Sequence, residues 1–344
     1  MSEAKCDIKA FIVHKLIKDQ HGTEVTKEDG PAVLAVNDSI QQLMDTLNKR
    51  YIEQGGRSFG KFEADTDNYP ISTYLTDAKS TENADNFYNL STRVLTHLVA
   101  KAKNTNASGG WVVMSQYKYN GSDLFSVAIV NEVTGAGITK RFEVEPSVYI
   151  DLSKLRHAGR INLSQWKDGH ERYVSFIRNT KESTYFKNFL GCSTTNSNIV
   201  HSQELLAVID SYCEIENLDY NERTSLRSEA YNFLQSASKA NKPIFLEHLA
   251  NHLSPEDPDK LRIFLTSDEH ALSDEFIPDL RVIKGLIQLK SKSKYWDLKF
   301  NREAFKHGME YDPETGELKI KITDDEEKAA FAKEVNGLEE NESD

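Results

Sequence analysis

Lys284, Lys290, Lys292 and Lys294 share one parity along the chain and run into Tyr295, Trp296 and Lys299. On an extended backbone successive side chains point to opposite faces, so residues of equal parity project from one side of a sheet. Ammonium groups in such a row suit the chemistry of tracking a phosphate backbone, whose charge they neutralise without reading its sequence. A turn at Ser291–Ser293 would break the row, and the same spacing also fits an edge strand guarded by lysines against pairing with other chains. Trp296 shares its parity with Leu298 and Phe300, which directs it towards a core rather than onto a base. Lys284, Lys290, Lys292, Lys294 and Lys299 are therefore the candidate DNA-binding residues.

Arg172, Arg178, Lys181 and Lys187 form a second cationic group, but their irregular spacing fits a scattered, solvated surface better. His248 and His252 are four apart on a helical stretch, where two imidazoles can share a metal. Leu249 stands where an HExxH pattern needs glutamate, no third ligand is identifiable, and no metal site is expected. Gly109-Gly110 precedes a strand and not a helix, the context of a turn and not of a phosphate-cradling loop. Cys6, Cys192 and Cys213 are odd in number and far apart, which points to reduced, buried thiols and away from a disulfide framework or a cysteine zinc site. The carboxylates of Asp324–Glu327 suit a helix start, whose dipole they favour, better than a cation site. No nucleophile elbow or kinase-like motif set is present, so neither catalytic residues, a cofactor nor an enzyme activity is expected. A metal-dependent nuclease would need carboxylates that only the fold could gather.

Charge narrows the choice further. The 344 residues carry 42 Lys+Arg against 54 Asp+Glu, a formal net charge of -12. A polyanion is held chiefly through cations that release its counterions, so DNA contact requires a local positive patch or a DNA-associated partner protein. The 38% hydrophobic and 28% charged composition is that of a globular protein, without the roughly 18 consecutive apolar residues of a membrane span. Met1-Ser2-Glu3-Ala4-Lys5 leads into alternating residues instead of an apolar block, so no secretory signal is visible and a cytoplasmic location is expected.

These candidates need a scaffold. Ile8–Ile17 alternates as a strand. A helix is predicted from Asp38, with Gln41 completing a capping box, Ile40, Leu43, Met44, Leu47 and Tyr51 on one face and Gly55-Gly56 at its end. A second helix spans about Glu82 to Lys103. Trp111–Tyr119 and Ser122–Val130 read as strands joined by Asn120-Gly121, the dipeptide of a type I′ hairpin, with further strands at Val144–Leu152 and Tyr173–Arg178. From Ser183 to Phe264 the period is helical, and Asp257-Pro258 opens a further helical turn. After Pro278 a period of two returns through Ile283, Ile287 and Leu289, then Trp296, Leu298 and Phe300, then Leu318, Ile320 and Ile322, with a turn at Asp312–Gly316. The expected fold is α+β: an N-terminal antiparallel-sheet domain with helices at 1–180, a helical region at 181–270, a small β-rich region at 271–323 and a partly disordered acidic tail at 324–344.

Four stretches carry a family resemblance: Tyr149-Ile150-Asp151-Leu152, Ile161-Asn162-Leu163-Ser164-Gln165-Trp166, Tyr173-Val174-Ser175-Phe176, and Phe186 with Phe189-Leu190-Gly191. With the C-terminal run Phe300–Ile320, including Tyr311-Asp312-Pro313 and Leu318-Lys319-Ile320, they resemble the bacterial nucleoid-associated NdpA (YejK) family in the same order over nearly the whole chain. The resemblance implies residence at the nucleoid, DNA binding and contact with type II topoisomerases, and it brings no catalytic motif. Non-enzymatic binding of DNA with little sequence preference by a homo-oligomer is the resulting expectation. An adaptor that reaches DNA through a topoisomerase is the alternative, favoured by the acidic balance.

Overall fold

Asn120 and Gly121 have φ of 46° and 80°, both positive as a type I′ turn requires. They set Tyr119 opposite Ser122 and so fix which face every side chain of the two flanking strands occupies. The structure is a computed structural model describing residues 5–341, except 20–21, 55, 79–82, 106, 153–154, 156, 178–182 and 195–196. The chain runs β1 (Asp7–Ile17), β2 (Thr26–Glu28), α1 (Asp38–Glu53), β3 (Arg57–Phe62), α2 (Ile71–Asp77), α3 (Ala84–Ala102), β4 (Gly110–Tyr119), β5 (Ser122–Ile138), β6 (Val144–Asp151), β7 (His157–Asn162), α4 (Leu163–Lys167), β8 (Val174–Ile177), α5 (Ser183–Leu190) and β9 (Cys192–Thr194). It continues through α6 (Asn198–Ile215), α7 (Tyr220–Lys239), α8 (Leu246–Leu253), α9 (Pro258–Leu265), α10 (Leu280–Ile283), β10 (Gln288–Lys292), β11 (Asp297–Asn301), β12 (Met309–Tyr311), β13 (Leu318–Ile320) and α11 (Asp325–Asn341).

The first body is an antiparallel sheet in the order β2-β1-β4-β5-β7-β8-β3-β9. Alternation along its strands builds two cores. Ile12, Leu16, Val112, Met114 and Val127 meet Leu90, Val94 and Leu98 of α3 and Phe186 and Phe189 of α5. On the opposite face Phe11, Val113 and Tyr117 meet Ile40, Met44, Leu47 and Tyr51 of α1. Each large apolar side chain so buried contributes about 1.5–3 kcal/mol. The cap of α1 lies one residue before the predicted position: Asn37, not Asp38, accepts the Ile40 N–H, at 3.0 Å. The first body also runs past residue 180, because α5 enters its core and Cys192–Thr194 pairs with Gly60–Phe62.

The second body is helical, with Leu205, Ile209, Leu234, Leu249 and Leu265 at its centre. It claims a stretch expected to be extended. Asp279 accepts the N–H groups of Arg281 and Val282, and the chain turns through α10 into a 3-10 turn at Lys284–Leu286, burying Ile283 and Leu286. The capping aspartate after Pro278 outweighs the period-two pattern. The two small hairpins, β10–β11 and β12–β13, follow. No helix among the described residues is long and apolar enough to cross a membrane.

A buried polar seam joins the bodies. The carboxylate of Asp268 takes Arg57 Nη1 at 2.5 Å and Arg160 Nη1 at 2.6 Å. Arg160 also donates to Asn48 Oδ1 at 2.6 Å, which accepts the Tyr117 hydroxyl at 3.0 Å. Asp274 accepts the backbone N–H groups of Gly56 and Leu246, and Ser273 Oγ accepts that of Phe59 at 3.1 Å. Burial raises the Asp274 carboxyl above the usual range despite those donors.

Two predictions arise from groups kept uncharged. Burial pushes the Cys6 thiol, helped by Asp45, and the Cys192 thiol up to about 12, and raises that of Cys213. Since the thiolate is the nucleophile, a thiol reagent at pH 8 should label the three cysteines only after denaturant is added. Burial, reinforced by Lys101, likewise lowers His97 from 6.5 to about 4, and burial lowers His14 and His270. The native protein thus binds fewer protons than the unfolded chain, so stability is full above about pH 6.5 and is lost as pH falls through the window towards 4. Urea midpoints should drop between pH 7.5 and pH 5, and His97→Gln should flatten that drop.

Candidate nucleic-acid interface

The register of β10 and β11 sets Gln288 opposite Asn301, Lys290 opposite Lys299 and Lys292 opposite Asp297. These side chains share one face of the ribbon, while Leu289, Ser291, Leu298 and Phe300 share the other. Lys292 Nζ lies 3.6 Å from Asp297 Oδ2. Lys290 and Lys299 stand directly across from each other, both exposed. Like charges so placed repel, and an anion set against that face would relieve the repulsion.

Ser293 turns the hairpin. Its Oγ accepts the N–H groups of Tyr295 at 3.1 Å and Trp296 at 3.2 Å, and its own N–H donates to the Trp296 carbonyl at 2.8 Å. Lys294 therefore sits at the tip, 5.4 Å from the centroid of the Tyr295 ring, which is 85% exposed. Lys284, half-buried, belongs to the preceding 3-10 turn. The expected row of four lysines on one strand is thus broken at both ends: Asp279 starts a helix before it and Ser293 starts a turn within it. The structure instead brings Lys290, Lys292 and Lys299 onto one face with Lys294 at the tip. The pairing of Lys290 with Lys299 carries no local sequence signal, because it depends on register, although serine at a turn was a legible cue for the break.

On this face Gln288 Nε2 reaches Asn301 Oδ1 at 3.4 Å, while Gln288 Oε1 finds no partner among the described residues. Residues 288–301 contain no arginine, so the ribbon offers ammonium charge and an aromatic tip rather than the bidentate guanidinium contacts that read guanine. The ribbon also borders a cleft of about 620 Å³ lined by Trp296, Leu298, Phe300, Phe305, Tyr311 and Leu318, with Lys290 and Asp297 at its edge. Trp296, 51% exposed, borders that cleft with Leu298 and Phe300 instead of entering a closed core.

The other candidates go elsewhere. Arg172 is engaged by Glu204 at 2.6 Å and by the Ala271 carbonyl at 2.9 Å, and Lys187 by Thr194 Oγ1 at 3.0 Å. Arg178 and Lys181 lie outside the described residues. His248 and His252 on α8 pack against different rings, Phe245 at 5.2 Å and Phe233 at 5.1 Å. Gly109 donates to the Lys18 carbonyl at 2.9 Å as the chain enters β4. Among the described residues no group of three or more His, Cys, Asp or Glu side chains is placed to hold a metal.

Comparison with known proteins places these features in a family context. A family model described as nucleoid-associated protein YejK matches residues 12–328. A nucleoid-associated protein of Azotobacter vinelandii is 27% identical over 320 residues, 91% of this chain and 94% of the relative. Nucleoid-associated proteins of Pseudomonas entomophila and Pseudomonas savastanoi pv. phaseolicola are each 26% identical over 91% of this chain, covering 95% and 96% of their own lengths.

Proposed function

The chain belongs to the nucleoid-associated protein YejK family, and from that premise we propose that it binds double-stranded DNA at the cytoplasmic nucleoid, without catalysis and with little sequence preference. The observation that carries this is the β10–β11 ribbon, which presents four lysines against one aspartate in a chain of net charge -12. A two-stranded ribbon fits the major groove or lies along the backbone, and a face of lysines without arginine holds phosphates without naming bases. Mobility-shift titrations on two unrelated duplexes should give dissociation constants within a few-fold of each other, both weakening steeply as salt rises. Salt-independent affinity would refute phosphate contact. Plasmid incubated with the protein and Mg²⁺ or Mn²⁺ should stay intact.

A second reading has its own support. The exposed first turn of α11 carries Asp325, Glu326 and Glu327, and acidic surfaces attract basic DNA-binding partners. In that reading the chain is an adaptor for a DNA enzyme such as a type II topoisomerase. Purified topoisomerase subunits retained on the immobilised protein after nuclease treatment would favour the adaptor, whereas loss of retention with DNA favours direct binding.

A further inference from the structure

Beyond Val130 the strand β5 leaves the main sheet and continues with β6 as a two-stranded arm, Asn131–Ile138 against Val144–Asp151. At about 3.4 Å per residue the arm reaches roughly 27 Å. Its register places Glu132, Thr134, Ala136 and Ile138 on one face with Val144, Pro146, Val148 and Ile150. That face is apolar towards the tip, and it is uncovered: Ile138 is 77% exposed, Val144 72% and Val148 61%. On the other face Tyr149 lies across Gly135, where a Cβ would meet its ring at 2.9 Å. An isolated two-stranded ribbon is marginal in water, so such a face calls for a partner.

The tip points the same way. Thr139 and Glu143 close the turn through a 3.0 Å backbone hydrogen bond, and Thr139 Oγ1 accepts the N–H of Arg141 at 3.2 Å. This geometry holds Phe142 at φ 62° and 91% exposed. A bulky residue in the left-handed region is strained, and nothing described within the chain buries the ring in return. Charge decides the class of partner. The arm carries Glu132, Glu143, Glu145 and Asp151 against Lys140 and Arg141, so as a whole it repels a polyanion, while both of its cations stand at the tip.

The same chain holds a complementary surface. The cleft between the C-terminal hairpins is aromatic and open, with Phe300 and Phe305 edge to face at 5.7 Å. The β12–β13 loop at its border, 312–317, bears Asp312, Glu314 and Glu317 and no cation, and Gly316 of that loop lines the cleft. We propose that the arm docks on a second copy of this chain, Phe142 and Ile138 entering that copy's cleft and Lys140 and Arg141 facing its acidic loop. A two-fold arrangement makes the contact twice and closes a dimer. Of the ribbon's four lysines only Lys290 borders the cleft, while Lys292, Lys294 and Lys299 do not line it, so those three stay available and the inference does not depend on DNA binding.

The test uses the full-length chain and exposed residues only. Light scattering coupled to size exclusion at micromolar concentrations should give twice the chain mass. Phe142→Asp should weaken association at least tenfold, with an unchanged far-ultraviolet circular dichroism spectrum confirming the fold. Lys140→Glu with Arg141→Glu, and separately Glu314→Lys with Glu317→Lys, should each weaken it. The chain carrying all four reversals should regain the dimer. A monomeric unsubstituted chain, an unaffected Phe142→Asp variant, or failure of the fourfold reversal to restore association would each overturn the proposal.

Discussion

Asp268→Asn is expected to cost about 3 kcal/mol of folding stability, the low end of the 3–5 kcal/mol associated with breaking a buried ion pair. The two guanidiniums it serves are 2% and 4% exposed, whereas its own carboxylate is 33% exposed. Solvent therefore screens one edge of the pair, which is why the lower figure applies. Burial pushes the Asp268 carboxyl up, but the charges of Arg160 and Arg57 outweigh it and hold the group below its usual value. The sign follows: its contribution is present above the unfolded value near 3.8 and is lost as pH falls through the lower folded one. Asparagine keeps the shape but leaves two buried cations facing each other. Chemical denaturation at pH 7 should show the loss, and Arg57→Met, Arg160→Met and Asp268→Leu combined should recover much of it, because apolar replacement of a whole buried ionic cluster is often tolerated. Equal stability of Asp268→Asn and the unsubstituted protein would mean that the seam does not hold the bodies together.

Lys290→Ala, Lys294→Ala and Lys299→Ala combined should give the largest change in DNA binding. If each ammonium neutralises one phosphate, the slope of log affinity against log salt becomes shallower by about 2.7. Between 50 and 200 mM salt that amounts to a factor of roughly 40 in affinity that the variant no longer loses. At low salt the variant should bind more weakly on every duplex alike, since no base contact is removed. Lys292 is the internal contrast: with Asp297 beside it at 3.6 Å, its single replacement should matter less than that of Lys290. An unchanged slope in the triple variant would move the interface elsewhere.

The lysine pattern shows how far local sequence carried. Parity placed Lys290 and Lys292 on one face, and that is where they lie; it could not place Lys299 opposite Lys290, since cross-strand register is set by the Ser293 turn and the packing of Leu289, Leu298 and Phe300. Parity also counted Lys284 with them, across a segment that the Asp279 cap turns helical. Half of the arm is legible: Val144–Leu152 reads as a strand, whereas the sequence reading ends β5 at Val130 and the structure carries it to Ile138 through Gly135 and Gly137, residues that weaken strand patterning. Gly135 leaves the space that the Tyr149 ring of the facing strand takes.

By itself the sequence determined what depends on neighbours along the chain: the α+β class, the type I′ turn at Asn120-Gly121, the amphipathic faces of α1 and α3, and the family to which the order of its motifs belongs. These follow from backbone preferences and side-chain periodicity, which act over a few residues. Only the tertiary structure decided which charges are consumed and which are displayed. Arg57, Arg160 and Arg172 are drawn into contacts with Asp268 and Glu204, far off in sequence, while Lys290 and Lys299 are set side by side on the surface. Electrostatic energy depends on distance through space and on exclusion of water, and neither is written in the spacing of residues along a chain.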